Sequence, residues 1–193
     1  MTPGPLIIVS GPSGSGKSTL IDLVLPQFVG RLRHSVSATT REPRVGEQDG
    51  VNYHFWTRER FEQGIAAGDF LEYATVFGNH YYGTPRTEVA PFRARGIGVV
   101  LDVDVQGAAQ LRRTCPDGYW IFLETPPGQF ERRLRLRGTE SEEAIQRRLE
   151  TSKREMDRAG EFDIRLVNDD INRAAEELAA IIRSRFGVTT NGR

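Results

Sequence analysis

The residues best able to do chemistry lie near the start of this 193-residue chain. Gly11-Pro12-Ser13-Gly14-Ser15-Gly16-Lys17-Ser18-Thr19 contains the complete G-x-x-x-x-G-K-[ST] pattern, between an apolar run over residues 6–10 and a helical spacing that opens at Lys17. Glycines let such a loop curl until successive N–H groups face phosphate oxygens at the positive end of a helix dipole. The Lys17 ammonium then bridges the β- and γ-phosphates of a nucleoside triphosphate, and the Ser18 hydroxyl holds Mg²⁺. Lys17 and Lys153 are the only lysines in a chain otherwise supplied with arginine, so a lysine at this place carries more weight than any arginine cluster.

A second constellation follows. Arg41 and Arg44 stand three residues apart, and Tyr53, Glu72 and Tyr82 come after them among short aromatic-rich segments. Two guanidinium forks and two phenol hydroxyls suit an anion clamp, with a carboxylate beside it. Singly, each residue has a plainer reading: Glu72 as a solvated strand residue, the tyrosines as core or rim aromatics. Asp102 and Asp104 follow a second apolar run, residues 97–101, at the end of a strand where an open parallel sheet places its ligand crevice. Asp102 resembles the acid that stands near the metal in P-loop proteins; Asp104 equally suits the cap of the following helix.

The elements that must position these groups alternate. Residues 6–10 read as a buried strand, and Leu20, Leu23, Val24 and Phe28 space a helix from Lys17 to near Gly30. Strands over 51–56, 70–77 and 81–82, with a helix over 58–67, form a separate unit between residues 35 and 82. Helix over 86–95, strand over 97–103, helix over 108–114 and strand over 119–123 restore the alternation, which Pro126 and Pro127 interrupt. Residues 129–158 are polar and helical, with a capping box at Thr139 and Glu142 and a thin stripe of Ile145, Leu149 and Met156, as suits a mobile lid. A strand over 164–167 and an amphipathic helix from Ile171 to Phe186 close the chain. Strands alternating with helices imply an α/β fold on a parallel sheet.

Six ordered blocks, GPSGSGKST, SVSATTREPRVGEQDGVNYHF, FLEYATVFGNHYYGT, VVLDVDVQG, RLRLRGTE and FDIRLVNDD, resemble the guanylate kinase family over residues 6–186. The resemblance implies a P-loop NTPase-type parallel sheet with helices on both faces, an inserted small mixed sheet that binds GMP, and a helical lid. It divides the chain into a core (1–36, 85–126 and 159–193), a GMP-binding region (37–84) and a lid (127–158). It implies transfer of the ATP γ-phosphoryl group to GMP and dGMP with Mg²⁺, in purine nucleotide metabolism and GMP recycling. By the same resemblance Arg41, Arg44, Tyr53 and Tyr82 hold the GMP phosphate, and Ser37, Glu72, Thr84 and Asp104 read guanine. Arg133, Arg137 and Arg148 become lid arginines acting on the phosphates with Lys17 and Arg41, while Asn168 stands at the adenine end of the ATP site. Arg132, Arg135 and Arg147 are expected instead to pair with nearby glutamates on exposed helix faces. A binding module of the same fold that has lost catalysis is the alternative of another class, and the intact P-loop argues against it.

Composition narrows the remaining classes. With 38% apolar residues and 26 basic against 26 acidic groups, the chain is neither disordered nor strongly charged. Balanced charge gives no reason to expect a nucleic-acid or membrane partner, nor is an obligatory protein partner implied. The lone cysteine, Cys115, cannot form an internal disulfide, and the first five residues carry no basic segment of a secretory signal. A cytoplasmic protein is expected.

Overall fold

The computed structural model describes residues 2–76, 80–136 and 141–186. In chain order its elements are β1 (Leu6–Ser10), α1 (Lys17–Val24), β2 (Leu32–His34), β3 (Ala38–Thr39), β4 (His54–Phe55), α2 (Arg58–Ala67), β5 (Phe70–Val76), β6 (His80–Pro85), α3 (Ala90–Ala94), β7 (Gly98–Asp102), α4 (Val105–Thr114), β8 (Tyr119–Glu124), α5 (Pro127–Leu136), α6 (Glu142–Met156), β9 (Ile164–Val167) and α7 (Ile171–Arg185).

Every residue of β1 is buried, as an unbroken apolar run requires of a central parallel strand. Among the described residues the main sheet has the order β2-β7-β1-β8-β9, all parallel. Side chains alternate across it. Ile7 and Val9 pack with Leu20, Ile21 and Val24 of α1 and Leu178 and Ile182 of α7, while Leu6 and Ile8 pack on the opposite face with Ala108 and Leu111 of α4. Helices therefore cover both faces, and the P-loop and Asp102 emerge at the same carboxyl edge.

The second sheet, β4-β3-β6-β5, is mixed: β3 runs parallel to β4 and antiparallel to β6, and β5 and β6 form an antiparallel pair. Phe61 of α2, fully buried, stacks on Phe70 (4.3 Å) and Tyr81 (5.2 Å) to hold the helix on this sheet. Glu88 joins the two sheets. It accepts from Arg33 Nη2 beside the core edge (2.6 Å), from the Val36 N–H (3.2 Å) and pairs with His54 Nε2 of β4 (2.9 Å).

Several expected elements change shape for identifiable reasons. The helix over 86–95 is a 3₁₀ turn, Arg86–Glu88, followed by the short α3, because Pro91 has no N–H and fits only a first helical turn. Pro26 likewise ends α1 early and opens a 3₁₀ turn, Leu25–Phe28. Pro127 starts α5 rather than breaking the chain. Of the strand over 51–56 only β4 forms, since the N–H groups of Val51 and Asn52 turn back to the Gln48 carbonyl. The two helices of the polar region meet through Phe130, Ile145 and Leu149, while Met156 packs with Val105, Phe122, Ala159 and Phe162. Thr139 of the capping box lies outside the described residues.

Candidate active site

Gly11 has φ 145°, and a Cβ there would sit 2.4 Å from the Leu123 carbonyl oxygen, so only glycine lets the loop leave β1 this close to β8. Gly14 and Gly16 also hold positive φ, at 99° and 93°, and Ser15 N–H closes a turn on the Pro12 carbonyl. Lys17 Nζ donates to the Gly11 and Pro12 carbonyls at 2.9 and 3.2 Å, folding its ammonium across the loop, and lies 3.9 Å from Asp102 Oδ1. Ser18 Oγ donates to Asp102 Oδ2 at 2.6 Å, and Thr19 follows, exposed on α1. Asn168 Nδ2 and Thr125 Oγ1 both donate to the Ser15 carbonyl, at 2.8 and 3.2 Å, from beneath the loop. Asn168 is completely buried, and its amide braces the P-loop at Ser15.

Ser18 and Asp102 offer hard oxygen donors at the helix N-terminus, a set that fits Mg²⁺. Among the described residues no group of three or more His, Cys, Asp or Glu could hold a metal. A Mg²⁺ bound here would draw most of its ligands from phosphate and water, as that ion usually does.

On the insertion, Arg41 Nε donates to the Tyr82 hydroxyl at 3.2 Å, and its guanidinium carbon lies 5.5 Å from the centre of the Tyr53 ring. The two tyrosines meet edge-on at 5.9 Å. Burial raises the Tyr53 pKa, with the Asp102 charge adding to it, so its hydroxyl stays a donor at neutral pH. Arg44 is exposed on the loop next to this group, and half-buried Ser37 accepts the His54 N–H on its carbonyl.

Glu72 and Thr84 face each other across β5 and β6, and Thr84 Oγ1 donates to Glu72 Oε1 at 2.7 Å. Both are buried. Burial pushes the Glu72 pKa up to about 7; Asp104 adds to the rise and Thr84 opposes it. Asp104 caps α4, accepting the Gly107 N–H at 2.7 Å. Arg148 reaches across from α6, donating through Nη2 to Ser13 Oγ (3.0 Å) and to the Ser13 carbonyl (3.3 Å). Arg133 lies on α5 with its side chain outside the described set, as Arg137 is altogether. Arg135 pairs with Glu131 and Glu142, as the plain surface reading expects.

Four further residues shape the site. Glu47 chelates Arg41. A Cβ at Gly107 would lie 2.8 Å from Glu72 Oε2, so its absence lets the first turn of α4 close over the carboxylate. A glycine inside a helix was the available signal, because it costs about 1 kcal/mol against alanine. Gln110 clasps the Tyr73 backbone at both ends, with bonds of 2.7 and 3.2 Å, fastening β5 to α4. Glu155 of α6 sits among Lys17, Asp104, Arg148 and the Ser13 amide, and burial raises its pKa. Glu47, Gln110 and Glu155 carry no sequence signal, since each is an ordinary polar residue in a polar stretch.

A glycine-rich loop between β1 and α1 of a parallel sheet, with a small mixed sheet inserted between β2 and β7, defines the P-loop NTPase class of fold. The chain belongs to the guanylate kinase family, whose sequence profile matches residues 4–185. It is 50% identical over 184 residues to the guanylate kinase of Rubrobacter xylanophilus, covering 95% of each chain. With the guanylate kinase of Vibrio parahaemolyticus it shares 48% over 188 residues, 95% of this chain and 89% of that one. The crystal structure of guanylate kinase from Anaplasma phagocytophilum superposes with a TM-score of 0.75 at 28% identity, over 98% of this chain and 89% of the other. Among the described residues no helix is long and apolar enough to cross a membrane.

Proposed function

We propose that this protein reversibly transfers the γ-phosphoryl group of Mg-ATP to GMP, and to dGMP, giving ADP and GDP or dGDP. The observation that carries the acceptor assignment is Glu72, a buried carboxylate paired with Thr84 beside the arginine–tyrosine clamp. When ionised it accepts from the N1–H and exocyclic amine of guanine. Adenine has an acceptor at N1 and no such amine, and leaving the buried carboxylate unpaired costs about 1–3 kcal/mol or more.

In this reading Gly11 to Thr19 cradle the ATP phosphates, with Lys17 on the β- and γ-phosphates. Arg41, Arg44, Tyr53 and Tyr82 take the GMP phosphate, and Ser37, Thr84 and Asp104 line the base with Glu72. Ser18 and Asp102 would hold Mg²⁺, which when bound neutralises charge on the β- and γ-phosphates. No general base is needed, since a phosphate monoester with a second pKa of about 6 already presents an anionic oxygen at neutral pH. The protein's task is to hold two anions in line against their repulsion. Arg148 and, from the lid, Arg133 and Arg137 add positive charge, and closure of residues 127–158 over the core excludes water. Residues 37–84 form the acceptor region and the remaining segments the core. The buried free thiol of Cys115 is consistent with a cytoplasmic protein.

The test is turnover of Mg-ATP with GMP, dGMP, AMP, UMP, dTMP or no acceptor, beside Lys17→Ala. Activity confined to the guanine nucleotides is expected. Equal activity on AMP refutes the role of Glu72, and ATP hydrolysis without acceptor at the transfer rate refutes the closing lid.

A further inference from the structure

An arginine side chain has five N–H groups to offer. In Arg41, four are engaged among the described residues: Nε on the Tyr82 hydroxyl (3.2 Å), Nη1 on the Glu42 carbonyl (2.6 Å) and Glu47 Oε2 (2.9 Å), and Nη2 on Glu47 Oε1 (2.9 Å). The residue expected to grip an acceptor phosphate with a free fork has already closed that fork on a carboxylate. Glu47 Oε2 also accepts the backbone N–H of Arg44 at 2.7 Å, and the Glu47 N–H returns to the Arg44 carbonyl at 3.0 Å. One carboxylate thus ties the turn that carries Arg44 to the guanidinium of Arg41.

We propose that Glu47 is a positioning residue of the acceptor site, which locks Arg41 so that one Nη2–H faces the acceptor phosphate and sets Arg44 to supply the open guanidinium fork. Glu47's role rests on the acceptor-clamp reading above. Two observations favour a fixed brace over a carboxylate that leaves when phosphate arrives. Release would undo three charge-assisted hydrogen bonds at once, including the one that closes the Arg44 turn. It would free two N–H groups of Arg41 without freeing the side chain to turn, because Tyr82 and the Glu42 carbonyl still fix the guanidinium plane. The Arg41–Glu47 pair is formally neutral, so the attraction that draws a dianion to this corner comes from Arg44. The Arg41 guanidinium and the Arg44 amide hold the Glu47 carboxyl below its usual pKa, so the brace persists into mild acid.

The decisive experiment is steady-state kinetics of Glu47→Gln, Glu47→Asp and Arg41→Ala, with the double variant Glu47→Gln/Arg41→Ala and melting temperatures for each. Glutamine retains one acceptor oxygen and loses both the charge and the second acceptor. The expected result for Glu47→Gln is a rise of about tenfold in KM for GMP with KM for ATP unchanged, as for loss of a charge-assisted bond. The effect should shrink to less than half, on a logarithmic scale, in the Arg41→Ala background. A fall in KM for GMP would mean that Glu47 competes with the phosphate, and overturns the proposal. So would an unchanged KM for GMP, or equal rises for GMP and ATP with a lowered melting temperature, which mark a purely structural role. If Glu47→Gln does not fold, the same split read on Glu47→Asp decides. Wild-type turnover of GMP in the same assay tests the acceptor reading separately, since its absence removes that reading while leaving the brace itself measurable by the melting temperatures.

Discussion

Replacing Glu72 by glutamine separates what the carboxylate costs the free protein from what it does for guanine. Glu72 is 7% exposed, among the described residues its side chain accepts from Thr84, and its pKa stands at about 7 against an ordinary value of 4.5. Between those values the folded protein keeps a proton that the unfolded chain has released, so stability falls as pH rises through this window. At about 1.4 kcal/mol per pH unit, the loss by pH 8 is roughly 3 kcal/mol. Glutamine occupies the same space, can still accept from Thr84, and has nothing to ionise. Chemical denaturation of the substrate-free protein at intervals from pH 5 to pH 8 should therefore show the wild type losing about that amount relative to Glu72→Gln. Function should move oppositely. Guanine requires the ionised carboxylate, so kcat/KM for GMP in the wild type rises as pH climbs through about 7. The variant should lose about a hundredfold or more in GMP use while binding ATP normally. The second ionisation of GMP, near pH 6, affects both proteins and cancels in their ratio. Parallel stability curves, or a ratio of kcat/KM values that does not change with pH, would refute the assignment of a protonated, buried Glu72.

Lys17→Ala should lower kcat by roughly 10²–10³ or more, with a melting temperature close to wild type, because Lys17 donates to carbonyls of its own loop and its ion pair with Asp102 is long, at 3.9 Å. Gly107→Ala places a methyl 2.8 Å from Glu72 Oε2; KM for GMP should rise by about tenfold with ATP binding intact, measurable by calorimetry with each nucleotide. Arg148→Ala removes the bonds from α6 to Ser13, and should lower transfer while raising the share of ATP hydrolysed without acceptor. An unchanged ratio of hydrolysis to transfer would place Arg148 outside lid closure.

What was legible in the sequence was local. The apolar run over 6–10, the P-loop spacing and the amphipathic pattern of 171–186 each draw on neighbours within a few residues, and each formed as β1, the loop into α1, and α7. Arg41, Tyr53 and Tyr82 could be nominated as a group by residue type, and they do come together on the inserted sheet. Elements of two or three residues, such as β2 and β3, are too short to show a period of two, and prolines at 26, 91 and 127 moved helix ends that periodicity alone could not place.

Only the tertiary structure decided the electrostatics and the second layer of contacts. Glu72 is an ordinary carboxylate in the strand and becomes a group that titrates near neutrality once α4 closes over it, through a glycine 35 positions further along. That the Asn168 amide braces the P-loop shows only in the fold, where it donates to the Ser15 carbonyl 153 residues away in the chain. Glu47 is one acidic residue in a polar turn until its carboxylate is found closed on Arg41. Backbone preference and apolar spacing are short-range and survive translation into sequence patterns. Desolvation and hydrogen-bond saturation depend on which distant surfaces exclude water from a group, and that is known only when the chain has packed.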